Sequence, residues 1–201
     1  MNENIEFLQA FLKNPGKVGS IKPSSPELAK KMIEGIKPDK DHAVLELGVG
    51  TGAITKFLRE IVLDEESYLG LELDPDLVRL LKRNFPDMRI VRGDAVEACA
   101  IHERSGIGKI SYIICCLPFV SLPTEVGENI LFQIEKLMQQ GCTFRTFQYA
   151  HGYYMPAAIK LRKFMRDRYG KSKRSSLIVK NVPPAYTLTW STVKRPYPVR
   201  S

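Results

Sequence analysis

Residues 46–52 read Glu-Leu-Gly-Val-Gly-Thr-Gly, an ExGxGxG run between an apolar stretch and a helix-like stretch. Gly48, Gly50 and Gly52 let a backbone turn sharply and pass close to a ligand. The spacing is GxGxG rather than the GxGxxG of a dinucleotide pyrophosphate site, and Glu46 would repel two phosphates while accommodating a cationic ligand. Twenty residues after Gly52 stands Glu72, followed by Leu73, where an acid at a strand end can accept bonds from two ribose hydroxyls. Asp94, with Ala95 after it in RGDA, is placed to receive an adenine amino group. Leu117-Pro118-Phe119 closes a further apolar run, at the edge where open α/β sheets bind their ligands. Each acid alone reads as a surface loop residue. In this order, at these strand ends, they read as the wall of a site for a nucleoside that carries positive charge.

The elements that must position these residues follow from apolar periodicity. Strands are predicted at Ala43–Leu47, Tyr68–Glu72, Met88–Val91, Lys109–Leu117 and Thr143–Tyr149, with two further strand-like runs near Leu177–Val182 and Ala185–Val193. Helices are predicted near Gly52–Val62, from Asp74-Pro75 to Phe85-Pro86, over Glu125–Gln140 before Gly141, and over Pro156–Tyr169. This is β-α-β-α order with a closing β-β pair. It predicts an α/β, Rossmann-like seven-stranded sheet, mostly parallel with an antiparallel edge, preceded by N-terminal helices. Residues 1–35 are read as an N-terminal helical segment and residues 36–201 as the main domain. Within the first, Ile5, Leu8 and Leu12 line one stripe, and a second helix has Ser25 as cap and Pro26 at its first position.

The 201 residues carry 30 basic and 22 acidic side chains, a net charge of +8. Segment 160–174 holds eight of the basic residues and one acid, leaving the rest with 22 basic and 21 acidic residues. Such a patch implies a polyanionic partner, nucleic acid or anionic lipid headgroups. A solvated helix face is the plain alternative. Lys160, Arg162, Lys163 and Arg166, with Tyr153 nearby, are the candidate contacts. Four cysteines without ligand-like spacing read as reduced thiols, so neither a disulfide framework nor a metal site is expected. No apolar run is long enough to span a bilayer, and the acidic start MNENIEF argues against a secretory signal. A cytoplasmic protein, peripheral to the inner membrane face, is the expectation.

Over roughly residues 43–150 the constellation resembles the class I S-adenosylmethionine-dependent methyltransferases. Over almost the whole chain, PGKVGSIKPSSPELAKKM, ELGVGTGAIT, LGLELDPDL, VRGDAVE, LPF, FQYAHG and NVPPAY resemble the bacterial phospholipid N-methyltransferases, which convert phosphatidylethanolamine toward phosphatidylcholine. That resemblance implies S-adenosylmethionine as cofactor, Lys17, Gly19 and Ser20 closing over it, and a phospholipid amine as acceptor. Ornithine-containing lipids are a further acceptor class. Leu117 and Pro118 then belong to the catalytic loop, and Tyr149 is the substrate-side candidate, its hydroxyl facing a phosphate or its ring facing an ammonium. Tyr154 and His151 are weaker candidates. The family is similar to the ribosomal RNA adenine dimethyltransferases, whose corresponding loop reads Asn-Leu-Pro-Tyr or Asn-Leu-Pro-Phe, the Asn accepting from the adenine amine. Here that position is Cys116, a poor acceptor. RNA dimethylation stands as one alternative. A non-catalytic RNA- or membrane-binding protein on the same fold stands as another.

Overall fold

The structure is a computed structural model that describes residues 23–192. Helix α1 (Pro26–Ile33) starts as its sequence requires: the Ser25 hydroxyl accepts from Leu28 N at 3.2 Å, Pro26 occupies the first turn, and Lys30 and Lys31 lie in the last turn. Strand β1 (Ala43–Leu47) follows, buried at all five positions. A short helix α2 (Thr55–Leu58) then leads to β2 (Tyr68–Glu72), equally buried. Next come α3 (Pro75–Asn84), β3 (Ile90–Arg92), α4 (Ala98–Ser105) and β4 (Ile110–Cys115). Then α5 (Thr124–Gln139), β5 (Thr143–Tyr149), α6 (Pro156–Tyr169), β6 (Lys173–Arg174) and β7 (Ala185–Ser191) complete the described residues.

The seven strands form one sheet in the order β3-β2-β1-β4-β5-β7-β6. β1 through β5 are mutually parallel, and β7 is antiparallel to β5 and β6. The expected fold class is therefore the observed one. The strand order reverses between β1 and β4, which opens a crevice beyond their carboxyl ends. One face of the sheet packs Leu45, Leu47, Ile113, Phe144 and Leu188 against α5 and α6. The other packs Val44, Tyr68, Ile114 and Ala185 against α1, whose Leu28, Ala29 and Met32 are fully buried.

Some boundaries differ from the sequence expectation. The run Leu177–Val182 is a turn-rich loop that touches the sheet through one bridge, Ile178 to Ala185, because Pro183 and Pro184 cannot continue a ladder. The helix expected over Gly52–Val62 is regular only at α2, and β4 stops at Cys115 rather than Leu117. Helix α4 and strand β6 were not foreseen: α4 is short and weakly amphipathic, and β6 is a charged pair at an edge. The stripe at Ile5, Leu8 and Leu12 lies outside the described residues.

Arg145 fixes α1 to the sheet. From β5 its guanidinium donates to the carbonyls of Met32 and Glu34, each at 2.8 Å, and to Thr189 Oγ1 at 2.9 Å. It thus satisfies the open C-terminal carbonyls of the helix, where a cation is also favoured by the helix dipole. Arg145→Met should cost about 2–3 kcal/mol, since bonds from a charged donor are lost and carbonyls are left unpaired. Thermal denaturation should register this as a drop of roughly 5–10 °C for a chain of this size.

Candidate cofactor and acceptor site

At the β1/β4 crevice the carboxyl ends of the strands surround a narrow cleft of about 100 Å³. Its walls include Gly48, Gly50, Glu72, Leu73, Asp94, Ala95, Cys116, Leu117 and Pro118, so nine candidates from four separate loops meet in one place.

The three loop glycines do different work. Gly50 has φ +60°, and a Cβ there would meet nothing within 4 Å, so the loop presents bare backbone to the cleft. Gly52 has φ +82° and packs away from the cleft: a Cβ would come within 2.5 Å of the Phe85 ring and 3.0 Å of Leu81. It packs between the loop and α3 and, unlike Gly48 and Gly50, does not line the cleft. Gly48 makes room for Leu117, whose Cδ2 a Cβ would approach at 2.6 Å.

Glu72 is 2% exposed, with both carboxylate oxygens held by backbone. Gly50 N–H donates to Oε2 at 2.7 Å and Asp74 N–H to Oε1 at 3.0 Å. Burial raises its pKa above the ordinary carboxylate value, while these N–H groups pull it down. Each oxygen keeps a further lone pair for a hydroxyl. Asp94 accepts from Val96 N at 3.1 Å with one oxygen, as the cap of the turn that leads into α4.

Glu46 does not line the cleft. It is fully buried beneath the glycine loop, where Tyr68 Oη donates to Oε2 at 2.6 Å and Thr55 Oγ1 donates to the same oxygen at 2.9 Å. Oε1 has no hydrogen-bond partner among the described residues. Tyr68 reaches it by crossing over Gly70, where a Cβ would stand 2.5 Å from the hydroxyl. Burial pushes the Glu46 pKa up to about 7, against the two donors that favour the anion. The site residues therefore fit a nucleoside-bearing cation: bare backbone at Gly50, a braced carboxylate at Glu72, a second acid at Asp94, and an under-satisfied carboxylate below.

On the acceptor side, Cys116 forms part of the cleft wall, and burial raises its thiol well above the ordinary value, so it stays protonated. Tyr149 ends β5 half-buried, stacked on His151 at 5.7 Å, on the α1 face of the sheet rather than in the cleft wall. Tyr153 packs on the opposite face. The basic helix is less free than its sequence implies. Lys160 pairs with Glu128, Arg168 with Glu135 at 2.6 Å, and Arg166 lies 3.7 Å from Asp167. Arg162 is packed over Tyr153 and donates to Gln148. Lys163 is exposed and has no carboxylate partner among the described residues. Lys17, Gly19 and Ser20 lie outside the described residues.

The sequence profile of the ribosomal RNA adenine dimethylase family matches residues 1–180. The chain belongs to that family. It is an S-adenosylmethionine-dependent N-methyltransferase. An ornithine lipid N-methyltransferase of Singulisphaera acidiphila is 31% identical over 147 residues, covering 72% of this chain and 77% of that one. A ribosomal RNA small subunit methyltransferase A of Chlorobaculum parvum is 22% identical over 130 residues, 65% of this chain and 44% of the relative. In fold the chain is similar to a SAM-dependent methyltransferase from Anabaena variabilis, with TM-score 0.64, 14% identity and 96% of each chain covered. S-adenosylmethionine, bound, supplies an electrophilic methyl on its sulfonium; Glu72, Asp94 and the Gly50 backbone are the residues here that would hold it.

Two expectations follow. Glu72→Ala should weaken S-adenosylmethionine binding at least tenfold in a direct titration, since charge-assisted bonds contribute about 1.5–3 kcal/mol each. Glu46 should also make stability pH-dependent. Its folded pKa of about 7 lies above its ordinary 4.5, so the native state binds the extra proton. The associated stability is complete below about pH 4.5 and is lost as pH rises to about 7. Denaturant melts should show wild type losing about 3 kcal/mol relative to Glu46→Gln across that window. Parallel curves for the two proteins would show that Glu46 does not titrate there.

Proposed function

We propose that the chain methylates the amine of a membrane lipid headgroup, phosphatidylethanolamine toward phosphatidylcholine or the amine of an ornithine lipid, at an anionic bilayer surface. The observation that carries this reading is Cys116. Its protonated thiol stands in the cleft wall where an RNA adenine dimethyltransferase presents an Asn acceptor. An adenine amine is a poor nucleophile and needs that acceptor. A lipid amine, once deprotonated, attacks unaided: its lone pair forms the N–C bond as the C–S bond breaks.

The ammonium form of such an amine has a pKa near ~10, so a proton must first leave to water or a weak base. The chain then contributes mainly position and alignment. Leu117 and Pro118 supply an apolar wall, and Tyr149, whose phenol burial holds protonated, supplies a hydroxyl beyond it.

Exposed apolar side chains support a surface reading. Tyr154 is 79% exposed, and Met155 and Ile159 lie beside it at the start of α6. Val179 and Val182 are exposed in the loop before β7. Tyr149 pairs with Ala185, and Ala150 N–H donates to Pro184 O at 2.7 Å, so the segments carrying both groups meet at the carboxyl end of β5. Lys163, Lys171 and Lys173 add charge without a carboxylate partner among the described residues.

In mixed anionic vesicles, labelled methyl should appear on phosphatidylethanolamine or ornithine lipid and not on ribosomal RNA or subunits; label on adenine with lipids unlabelled transfers the assignment to RNA. Tyr149→Phe should lower turnover more than cofactor affinity. Replacing Lys163, Lys171 and Lys173 by Gln should weaken vesicle binding roughly tenfold or more, at ~1 kcal/mol per surface cation. Replacing the paired Lys160 and Arg168 should change it far less.

A further inference from the structure

Tyr153, in the turn between β5 and α6, carries two guanidinium groups. Arg162 of α6 lies 3.8 Å from its ring centroid and Arg174 of β6 lies 5.4 Å from it. Arg174 is also 4.8 Å over Tyr186 of β7, and the two tyrosine rings meet edge-on at 5.3 Å. The guanidinium carbons are thus no more than about 9 Å apart, near a Debye length at physiological salt.

Neither arginine forms an ion pair among the described residues, although Lys160, Arg166 and Arg168 of the same helix each have a carboxylate. Among the described residues Arg162 makes one side-chain hydrogen bond, to Gln148 Oε1 at 2.5 Å, and the Gln148 amide is itself set by donating to Ala158 O. Two like charges therefore lie against aromatic faces, with donors left open. Rigid guanidinium forks match the oxygens of a phosphate or carboxylate.

The cluster stands near the site already described. Tyr186 pairs with Gln148, next to the carboxyl end of β5. The turn carrying Tyr153 packs on the loop after β4: a Cβ at Gly152 would lie 3.8 Å from Val120. We propose that Arg162 and Arg174, held by Tyr153 and Tyr186, form an oxyanion subsite that takes the acidic group of the acceptor headgroup, a phosphodiester or a carboxylate. This rests on the lipid-amine reading and adds to it a means of recognising headgroups by their anion as well as their amine.

The test compares wild type, Arg174→Gln and the Arg162→Gln/Arg174→Gln pair. Methyl transfer is measured in neutral detergent micelles, to phosphatidylethanolamine and to a long-chain primary amine without an acidic group. KM for phosphatidylethanolamine should rise at least tenfold in the double variant and severalfold in Arg174→Gln, while KM for the plain amine and affinity for S-adenosylmethionine change little. Equal loss on both acceptors, or unchanged KM for phosphatidylethanolamine, overturns the subsite. A binding arm separates this from the function itself: glycerophosphoethanolamine and inorganic phosphate are titrated against each protein by NMR of the arginine side chains. If wild type methylates neither amine, the lipid reading fails. The oxyanion site then stands if glycerophosphoethanolamine binds the double variant tenfold more weakly, and falls if it binds both proteins alike. Inorganic phosphate binding as tightly as glycerophosphoethanolamine overturns the headgroup assignment in favour of free phosphate. Because Arg174 is exposed, its single variant reports on binding without threatening the fold.

Discussion

The hydrogen bond from Gly50 N–H to Glu72 is the contact on which the site depends. It ties the loop after β1 to the end of β2, and it does so with a carboxylate that is almost wholly buried. A buried anion needs donors, and the nearest are the backbone N–H groups of Gly50 and Asp74. For Gly50 to reach, the loop must double back with positive φ at three positions, which glycine alone adopts without strain. The bond therefore links the ligand-facing carboxylate, the course of the loop and the alignment of the two central strands.

A second carboxylate lies beneath that loop. Glu46 is placed by the β1–β2 register opposite Gly70, and the missing side chain there lets Tyr68 pass over the strand to reach it. Two acids thus share a buried corner, and the charge of Glu72 adds to the burial that raises the proton affinity of Glu46. That is a costly arrangement for an empty fold and a suitable one for a cationic cofactor. The same sheet end meets a contrasting field further along, where arginines are held on tyrosine rings. Negative charge near the cofactor and positive charge beside the proposed acceptor path give the edge of the sheet a polarity suited to a zwitterionic headgroup.

Much of this was present in the chain itself. The order of apolar runs, the caps Ser25 and Asp74, and the ExGxGxG, Glu72 and Asp94 spacing determine a Rossmann-like sheet and a nucleoside cleft, because strands and caps are governed by local periodicity and local hydrogen bonds. Tertiary structure decided what neighbours do to those residues. Gly52 packs against Phe85, and Glu46 faces Tyr68 and Thr55 below the cleft. Within the charge run 160–174, Lys160, Arg168 and Arg162 are engaged by Glu128, Glu135 and Gln148, which lie 14 to 33 residues away in sequence, while Lys163, Lys171 and Lys173 keep no carboxylate partner among the described residues. Periodicity says which face a residue occupies. Only packing brings it within hydrogen-bond range of distant partners, and at those short distances burial and pairing decide whether a charge is free, neutral or already spent.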